Sequence, residues 1–191
     1  MSAAATILIV PGLRDHVAAH WQTLLAQKLS MQRPVRSVPA LGRENLDCGR
    51  RVAAIQEALE RIDGPVIFVA HSGGVVMLMH WARQHRREDI VGALLAAPAD
   101  LDKPLPPGYP THRELRENGW LPVPRERLPF PSIVATSSND PLGPRVRIEA
   151  LAHDWSSDCV HLGAVGHLNP ASGFGEWPLA EKLIARLDRA S

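Results

Sequence analysis

The chain has 191 residues, of which 45% are hydrophobic and 21% are charged, and its formal net charge at pH 7 is +1. This length and composition predict one soluble globular domain, residues 1–191, that is long enough to bury a hydrophobic core. The balanced charge gives no electrostatic reason to bind nucleic acid or an anionic membrane, so we expect neither as a partner.

The N-terminus and the cysteines indicate a reduced, cytoplasmic protein. The opening residues, Met-Ser-Ala-Ala-Ala, lack the basic segment and the long apolar stretch of a signal peptide. The longest apolar runs have the length of strands or belong to the helix predicted after Ser72, so we expect no membrane span. Cys48 and Cys159 are the only cysteines, and their spacing fits neither a metal site nor a redox pair.

Short apolar strands alternate with amphipathic segments along the chain. The apolar runs predict strands at 6–10, 35–38, 66–70, 90–97, 132–136 and 160–162. Helices are predicted at 17–29, at 48–62, directly after Ser72, at 144–153 and at 176–187. This alternation predicts an α/β fold with three layers and about six mainly parallel strands.

One segment, 100–130, does not follow the alternation. It is rich in proline and contains only a short helical piece, predicted near 112–118. It follows the fourth predicted strand, at the sheet edge where open α/β folds bind their ligands. Long irregular excursions at such places are often functional. We therefore interpret 100–130 as a small lid or pocket wall, with a decorative loop as the alternative.

The third predicted strand leads directly into a serine with small neighbours. Ser72 follows Ala70 and His71, and Gly73 and Gly74 follow it before an apolar helix. A strand, a sharp turn at a serine and a helix form the nucleophile elbow of α/β-hydrolases. This turn admits only small side chains two positions either side of the serine, although glycine is more usual than alanine on the strand side. The alternative is an ordinary loop in which the serine caps the helix.

An acid and a base follow the serine in the order typical of α/β-hydrolases. Asp140 lies in the loop after the fifth predicted strand, and His167 lies in the loop after the sixth. A serine hydroxyl is a weak nucleophile until an imidazole takes its proton, and a carboxylate fixes the tautomer of that imidazole. We therefore predict Ser72, Asp140 and His167 as a catalytic triad.

Asp100 is the alternative acid, because it also follows a strand and some hydrolases take their acid from that strand. Asp140 is preferred because it lies in a strand-end turn before a helix, whereas we expect Asp100 to cap the lid. The remaining interpretation of Asp140 is a plain aspartate in the first turn of that helix.

Other histidines compete with His167 for the role of base. His16 and His20 lie near the first loop and could reach the site. His71 adjoins the nucleophile, but its side chain must point away from Ser72 into the sheet. We therefore expect His71 to be a packed, hydrogen-bonded histidine.

An oxyanion hole needs two backbone N–H groups aimed at the developing negative charge. The residue after the nucleophile, Gly73, is predicted to supply one of them. The loop after the first strand, Pro11-Gly12-Leu13-Arg14, is predicted to supply the other, with Leu13 as the candidate by position. Leu13 could equally be a packing residue.

Several short motifs occur in an order that is found in a known family. They are Ile9-Val10-Pro11-Gly12, His20-Trp21-Gln22, His71-Ser72-x-Gly74, Ser138-Asn139-Asp140-Pro141, Gly166-His167-Leu168-Asn169 and Ser172-Gly173-Phe174-Gly175-Glu176-Trp177-Pro178. Together they make the chain similar, over nearly its full length, to the small α/β-hydrolases of the YdeN and retinoblastoma-binding-protein-9 type. The resemblance implies a reduced α/β-hydrolase fold without the first two strands, the triad Ser72, Asp140 and His167, and no cofactor.

These observations predict a serine hydrolase that cleaves small esters or related acyl compounds through an acyl-enzyme. Esters, thioesters and amides all use this machinery, so the sequence does not choose among them. The expected partner is a small-molecule acyl substrate, and the sequence carries no signal for an oligomeric state. Trp21, Trp120 and Trp177 are expected to be packing residues rather than pocket walls. The alternative function is that of a non-catalytic binding protein that retains the hydrolase fold.

Overall fold

The fold is one six-stranded sheet with helices on both faces, in a computed structural model that describes residues 4–14 and 17–189. The strands are β1 (Thr6–Val10), β2 (Val35–Ser37), β3 (Val66–His71), β4 (Ile90–Ala96), β5 (Ser132–Thr136) and β6 (Asp158–His161). The helices are α1 (Trp21–Leu29), α2 (Cys48–Leu59), α3 (Gly73–Gln84), α4 (His112–Glu117), α5 (Arg145–Asp154) and α6 (Pro178–Asp188). A short 3-10 helix, Pro170–Ser172, precedes α6. No helix within the described ranges is long and apolar enough to cross a membrane.

All six strands run parallel, in the order β2-β1-β3-β4-β5-β6. Strands β1 and β3 are buried along their whole length. Because helices cover both faces of the sheet, these strands form nearly continuous apolar runs in the sequence. The sheet therefore confirms the predicted α/β class, with every neighbouring pair of strands parallel. The carboxyl ends of β1, β3, β4 and β5 meet at one edge, and this edge carries the candidate site.

Each face of the sheet carries its own hydrophobic core. Helices α2, α3 and α5 contribute to one core, and α1 and α6 contribute to the other. Successive side chains of a strand point to opposite faces. In β1, Leu8 and Val10 therefore enter the first core, while Ile7 and Ile9 enter the second. The two cores hold the strand ends, and hence the loops of the site, in fixed positions.

The ends of several elements differ from the predictions, and three of these differences have a clear local cause. Helix α1 begins at Trp21, four residues after the predicted start, because the side chain of His20 caps it by accepting the N–H of Gln22. Helix α2 ends at Leu59, and Ile62 closes a turn beyond it by donating its N–H to the Leu59 carbonyl. Strand β6 lies two residues earlier at its start than predicted, because its bounds follow from pairing with β5.

The segment 100–130 packs against the core that contains α2 and α3. Leu115, Trp120 and Phe130 are buried in that core. The indole N–H of Trp120 donates to the Leu46 carbonyl at 2.7 Å, and the ring of His80 bonds to the Trp120 carbonyl at 3.1 Å. The later part of the segment is thus anchored in the domain, and its first part is left beside the strand ends.

Candidate active site

Ser72 lies at a strained turn between β3 and α3. Its backbone angles, φ 56° and ψ −125°, are costly for a residue other than glycine, by about 1–3 kcal/mol. Its hydroxyl makes no capping bond to α3 and lies instead 2.7 Å from Nε2 of His167. A Cβ on Gly74 would come within 2.5 Å of the carbonyl oxygens of Val10 and Pro11, so the turn requires glycine there. The geometry is that of the predicted elbow and not of a capping serine.

The ring of His167 bridges Ser72 and Asp140. Nδ1 of His167 lies 2.9 and 2.8 Å from the two carboxylate oxygens of Asp140. A carboxylate only accepts, so Nδ1–H donates to Asp140 and Nε2 accepts the Ser72 hydroxyl. Oδ1 of Asp140 also accepts the N–H of Leu142 at 2.8 Å. The structure thus brings the three residues of the predicted triad into one hydrogen-bonded chain.

His71 lies buried behind His167. Its Nε2–H donates to the backbone carbonyl of His167 at 2.9 Å, and its ring centroid lies 5.0 Å from the ring of His167 and 4.7 Å from that of His20. Burial lowers the pKa of His71 well below its usual value, and the neighbouring His167 and His20 act in the same direction. His71 is therefore the packed, hydrogen-bonded residue that the sequence predicts, and it supports the His167 backbone as a neutral ring.

The loop that carries Asp140 also holds the loop that carries His167. Oδ1 of Asn139 accepts the N–H of Gly166 at 2.7 Å and the hydroxyl of Ser137 at 2.9 Å. The Ser137 oxygen in turn accepts the N–H of Val165 at 3.2 Å. These bonds fix the backbone just before His167 relative to the end of β5.

The short 3-10 helix holds His167 from the other side. The Ser172 oxygen accepts the N–H of His167 at 3.0 Å, and its hydroxyl donates to Oδ1 of Asn169 at 2.9 Å. Gly166 has φ 61°, and a Cβ there would collide with Ser172, so this position also requires glycine. Neither Asn139 nor Ser172 is predicted as a site residue from the sequence, although both belong to the motifs that carry the family resemblance.

The alternative acid, Asp100, is engaged elsewhere. Its carboxylate pairs with Arg147 of α5, at 2.8 and 3.1 Å, instead of capping the segment 100–130 as expected. The N-cap of α5 is Pro144, so Asp140 precedes that helix and is not an aspartate of its first turn. Of the two candidate acids, only Asp140 contacts His167.

His20, one of the two alternative histidines of the first loop, is engaged at the start of helix α1. Nδ1 of His20 accepts the N–H of Gln22 at 3.2 Å, and this hydrogen bond caps α1. The other candidate, His16, lies outside the described residues. The Gln22 amide donates to the carbonyls of Val10 and Val69, at 3.2 and 3.0 Å. It thereby joins α1 to the carboxyl ends of β1 and β3, beside the Ser72 turn.

Gly73 and Leu13, the two candidates for the oxyanion hole, lie against each other. Gly73 is the first residue of α3, and the first N–H groups of a helix have no partner within it. A Cβ on Gly73 would lie 3.0 Å from Cγ of Leu13, so the Leu13 side chain covers it. Both residues line the cavity that contains Ser72. Their roles as oxyanion donors stay predictions.

A cavity of about 290 Å³ opens at Ser72 and His167. Its lining is mostly apolar, and segment 100–130 contributes Leu101, Leu105 and Tyr109 to it. The three tryptophans considered above, Trp21, Trp120 and Trp177, are buried packing residues and do not line it. Within residues 4–14 and 17–189, no group of three His, Cys, Asp or Glu side chains is arranged to hold a metal ion.

Comparison with known proteins identifies a single family. A sequence model of the serine hydrolase family matches residues 7–186. No curated protein matches the sequence.

Solved structures with similar folds support the same relationship. A protein described as a YdeN-like hydrolase from Pectobacterium atrosepticum has a TM-score of 0.80 and 28% identity, over 97% of this chain and 91% of that chain. The YdeN gene product of B. subtilis has a TM-score of 0.73 and 16% identity, over 96% and 98%. Est1E from Butyrivibrio proteoclasticus, with ferulic acid bound, has a TM-score of 0.70 and 13% identity, over 98% and 88%. These matches confirm the predicted resemblance to YdeN-like hydrolases and the reduced α/β-hydrolase fold.

Proposed function

Because this chain belongs to the serine hydrolase family, we propose that it cleaves small esters or related acyl compounds with Ser72, His167 and Asp140. The observation that carries the proposal is the hydrogen-bonded chain from the Ser72 hydroxyl through His167 to Asp140. A serine that only formed a turn would not need a buried histidine and carboxylate within hydrogen-bond reach.

The proposed reaction proceeds through an acyl-enzyme. Nε2 of His167 takes the hydroxyl proton as Oγ of Ser72 attacks the acyl carbonyl. Asp140 stabilises the imidazolium that forms, and His167 then gives the proton to the leaving alcohol. A water molecule activated by His167 attacks the acyl-Ser72 ester, releases the acid and restores the serine. Each proton transfer uses a side chain of this chain, so the proposal requires no cofactor.

Backbone amides at the Ser72 turn are proposed to stabilise the tetrahedral intermediate. The N–H groups of Gly73 and Leu13 would donate to the oxyanion, and one such donor contributes about 2.7–4 kcal/mol to transition-state stabilisation. The packing of the Leu13 side chain over Gly73 supports this assignment, because it holds the two loops together beside Ser72.

Segment 100–130 is proposed to act as a pocket wall that limits substrate size. Leu101, Leu105 and Tyr109 close one side of the cavity, while Trp120 anchors the segment in the core. A cavity of about 290 Å³ favours short acyl chains over long lipids. We further propose that the protein is a single-domain, esterase-like enzyme of the cytoplasm.

The experiment that tests the function is hydrolysis of para-nitrophenyl acetate, with the intact mass measured after a rapid acid quench. We expect turnover and an acetyl adduct on the wild type, and neither on Ser72→Ala. Ser138→Ala is the matched control, since it removes only an exposed hydroxyl from the loop beside Asp140, and it should keep full turnover. Turnover of the wild type no faster than that of Ser72→Ala would favour a binding protein.

Substrate size has its own test in a series of para-nitrophenyl esters with increasing acyl length. We expect kcat/KM to peak at short chains, because the pocket wall bounds one side of a cavity of about 290 Å³. A rate that rises steadily towards long chains would contradict the small-substrate proposal.

A further inference from the structure

Two arginines line the cavity and have no part in the proposed reaction. Arg14 and Arg43 border the cavity that contains Ser72, and both also border the adjacent surface depression, so they lie where the two meet. Among the described residues, no aspartate or glutamate lines the Ser72 cavity. The cavity therefore presents two permanent positive charges without a carboxylate in its described wall.

The guanidinium of Arg14 is held in place by segment 100–130. Its Nη2 donates to the carbonyl of Gly108 at 3.2 Å, and its central carbon lies 4.1 Å from the centre of the Tyr109 ring. Stacking on a ring face leaves the edge of the guanidinium open, and these contacts use only part of its N–H donors. Arg14 can therefore donate to a ligand without giving up either contact.

The loop that carries Arg43 is fixed on both sides by a buried arginine. Nε of Arg51 donates to the carbonyl of Asn45 at 2.9 Å, and its Nη2 donates to the carbonyl of Gly42 at 2.8 Å. Within the part of the chain that the structure describes, Arg43 itself has no hydrogen-bond or ion-pair partner. The carboxylate of Glu44 lies against Gly42 and borders only the outer depression.

We propose that Arg14 and Arg43 form an anion subsite that selects acyl substrates with a carboxylate remote from the scissile bond. Guanidinium groups bind carboxylates through charge-assisted hydrogen bonds. Leu101, Leu105 and Leu142 line the same cavity and provide apolar contact for a methylene chain between the two ends of the substrate. The substrate class is thus a half-ester of an aliphatic dicarboxylic acid. This assignment rests on the proposed hydrolase function and adds the substrate class to it.

The subsite acts in binding and not in the covalent steps. Water supplies the oxygen of the new carboxylic acid, the ester bond breaks, and the alcohol leaves with the proton that His167 transfers. The remote carboxylate stays ionised and unchanged throughout. Its contribution is therefore expected in KM more than in kcat.

The test compares three para-nitrophenyl esters of equal chain length near pH 8. They are the mono-ester of adipate, which is anionic, the ester of hexanoate, which is neutral, and the hexanoate ester with a terminal trimethylammonium group. We expect kcat/KM of the wild type to be about tenfold higher for the adipate ester than for the hexanoate ester, and lowest for the cationic ester. Added salt should reduce this preference, because it screens exposed charges.

Variants connect the preference to the two arginines. Arg43→Gln and Arg14→Gln should each lower the ratio of the adipate to the hexanoate value by about threefold or more, and Arg43→Glu should favour the cationic ester. The matched control is Arg36→Gln, which removes an exposed positive charge on β2 and should leave the ratio unchanged. Equal rates for the three esters in the wild type, or an equal loss in Arg36→Gln, would overturn the subsite alone. If the wild type hydrolyses none of the three esters, both the subsite and the hydrolase proposal are overturned.

Discussion

The two sides of the cavity are built in different ways. The histidine wall comprises His167, which lines the cavity, and the residues that hold it from behind, which are Ser137, Asn139, Asp140 and Ser172. The arginine wall comprises Leu13, Arg14, Arg43 and Tyr109, which all line the cavity. Side chains of the histidine wall bond to backbone N–H groups of neighbouring loops, and its central pair is buried. In the arginine wall the charged side chains are exposed, and Arg14 is held by one carbonyl and one ring.

This difference separates two requirements of the proposed enzyme. Bond making needs reacting atoms in fixed positions, and the hydrogen bonds of the histidine wall, in which the His167–Asp140 pair is buried, provide that precision. Substrate selection needs groups that exchange water for a ligand, and the exposed guanidinium groups meet that requirement. Changes in the histidine wall should therefore lower kcat, and changes in the arginine wall should raise KM.

The largest expected effect comes from replacing the acid of the histidine wall. Asp140→Asn should lower kcat by up to about ten-thousandfold, because the amide no longer fixes the tautomer of His167 or stabilises its charged form. The matched control is Asp100→Asn, which breaks the ion pair with Arg147 and should lower the midpoint of thermal unfolding while turnover is largely kept. A greater loss of turnover in Asp100→Asn than in Asp140→Asn would contradict this assignment and would identify Asp100 as the acid.

A smaller effect is expected from Asn139, which positions the His167 loop. Asn139→Ala removes the acceptor for the Gly166 N–H and should lower kcat by up to about a hundredfold, with less change in KM. Asn139→Asp replaces the amide oxygen with a carboxylate oxygen that can still accept this N–H, so this variant should retain most of the rate. Asn45→Ala serves as the control in the loop of Arg43. An equal loss of kcat in the alanine and aspartate variants would show that the hydrogen bond to the Gly166 N–H does not position His167.

His71 should make the stability of the histidine wall depend on pH. Burial lowers the pKa of His71, so in mild acid the unfolded chain binds a proton that the folded chain does not. Below about pH 6.5 the free energy of unfolding should therefore fall by up to about 1.4 kcal/mol per pH unit, until the folded-state pKa is reached. Burial also lowers the pKa of His80, so His71→Gln should reduce this slope without abolishing it.

Thermal unfolding measured at several pH values checks this slope. His153→Gln removes an exposed histidine at the end of α5 and is the matched control. Identical acid slopes for the wild type and His71→Gln would contradict the assignment of a neutral, buried His71.

The smallest effect is expected from the ring of the arginine wall. Tyr109→Leu removes the surface on which Arg14 stacks and should raise KM for the adipate mono-ester about threefold, since an exposed cation–π contact contributes about 0.5–1 kcal/mol. Tyr109→Phe keeps the ring and should keep the wild-type KM. A loss in kcat rather than a rise in KM would remove the distinction between the two walls.

The sequence predicts the strands and the reacting residues better than it predicts what holds them. The apolar runs of β1 and β5 have the predicted bounds, because buried parallel strands are continuous and end at polar loops. Strand β6 is exposed at Asp158, and only pairing with β5 defines it, so periodicity alone misplaces its start.

The positioning residues could not be predicted for a related reason. Asn139 acts on Gly166, which is 27 positions away, through a backbone N–H that carries no sequence signature. The start of α1 depends on the capping side chain of His20, a residue type for which capping is not the first expectation. Contacts between a side chain and a distant backbone become apparent only once the two loops are seen together.

The most direct test of the central claim is labelling with a fluorophosphonate probe, followed by peptide mapping. A nucleophilic serine attacks the phosphorus and expels fluoride, so a working Ser72–His167–Asp140 chain predicts covalent modification at Ser72. The modification should be absent in Ser72→Ala and strongly slowed in Asp140→Asn. An unmodified wild-type protein, or a label on a different serine, would contradict the account.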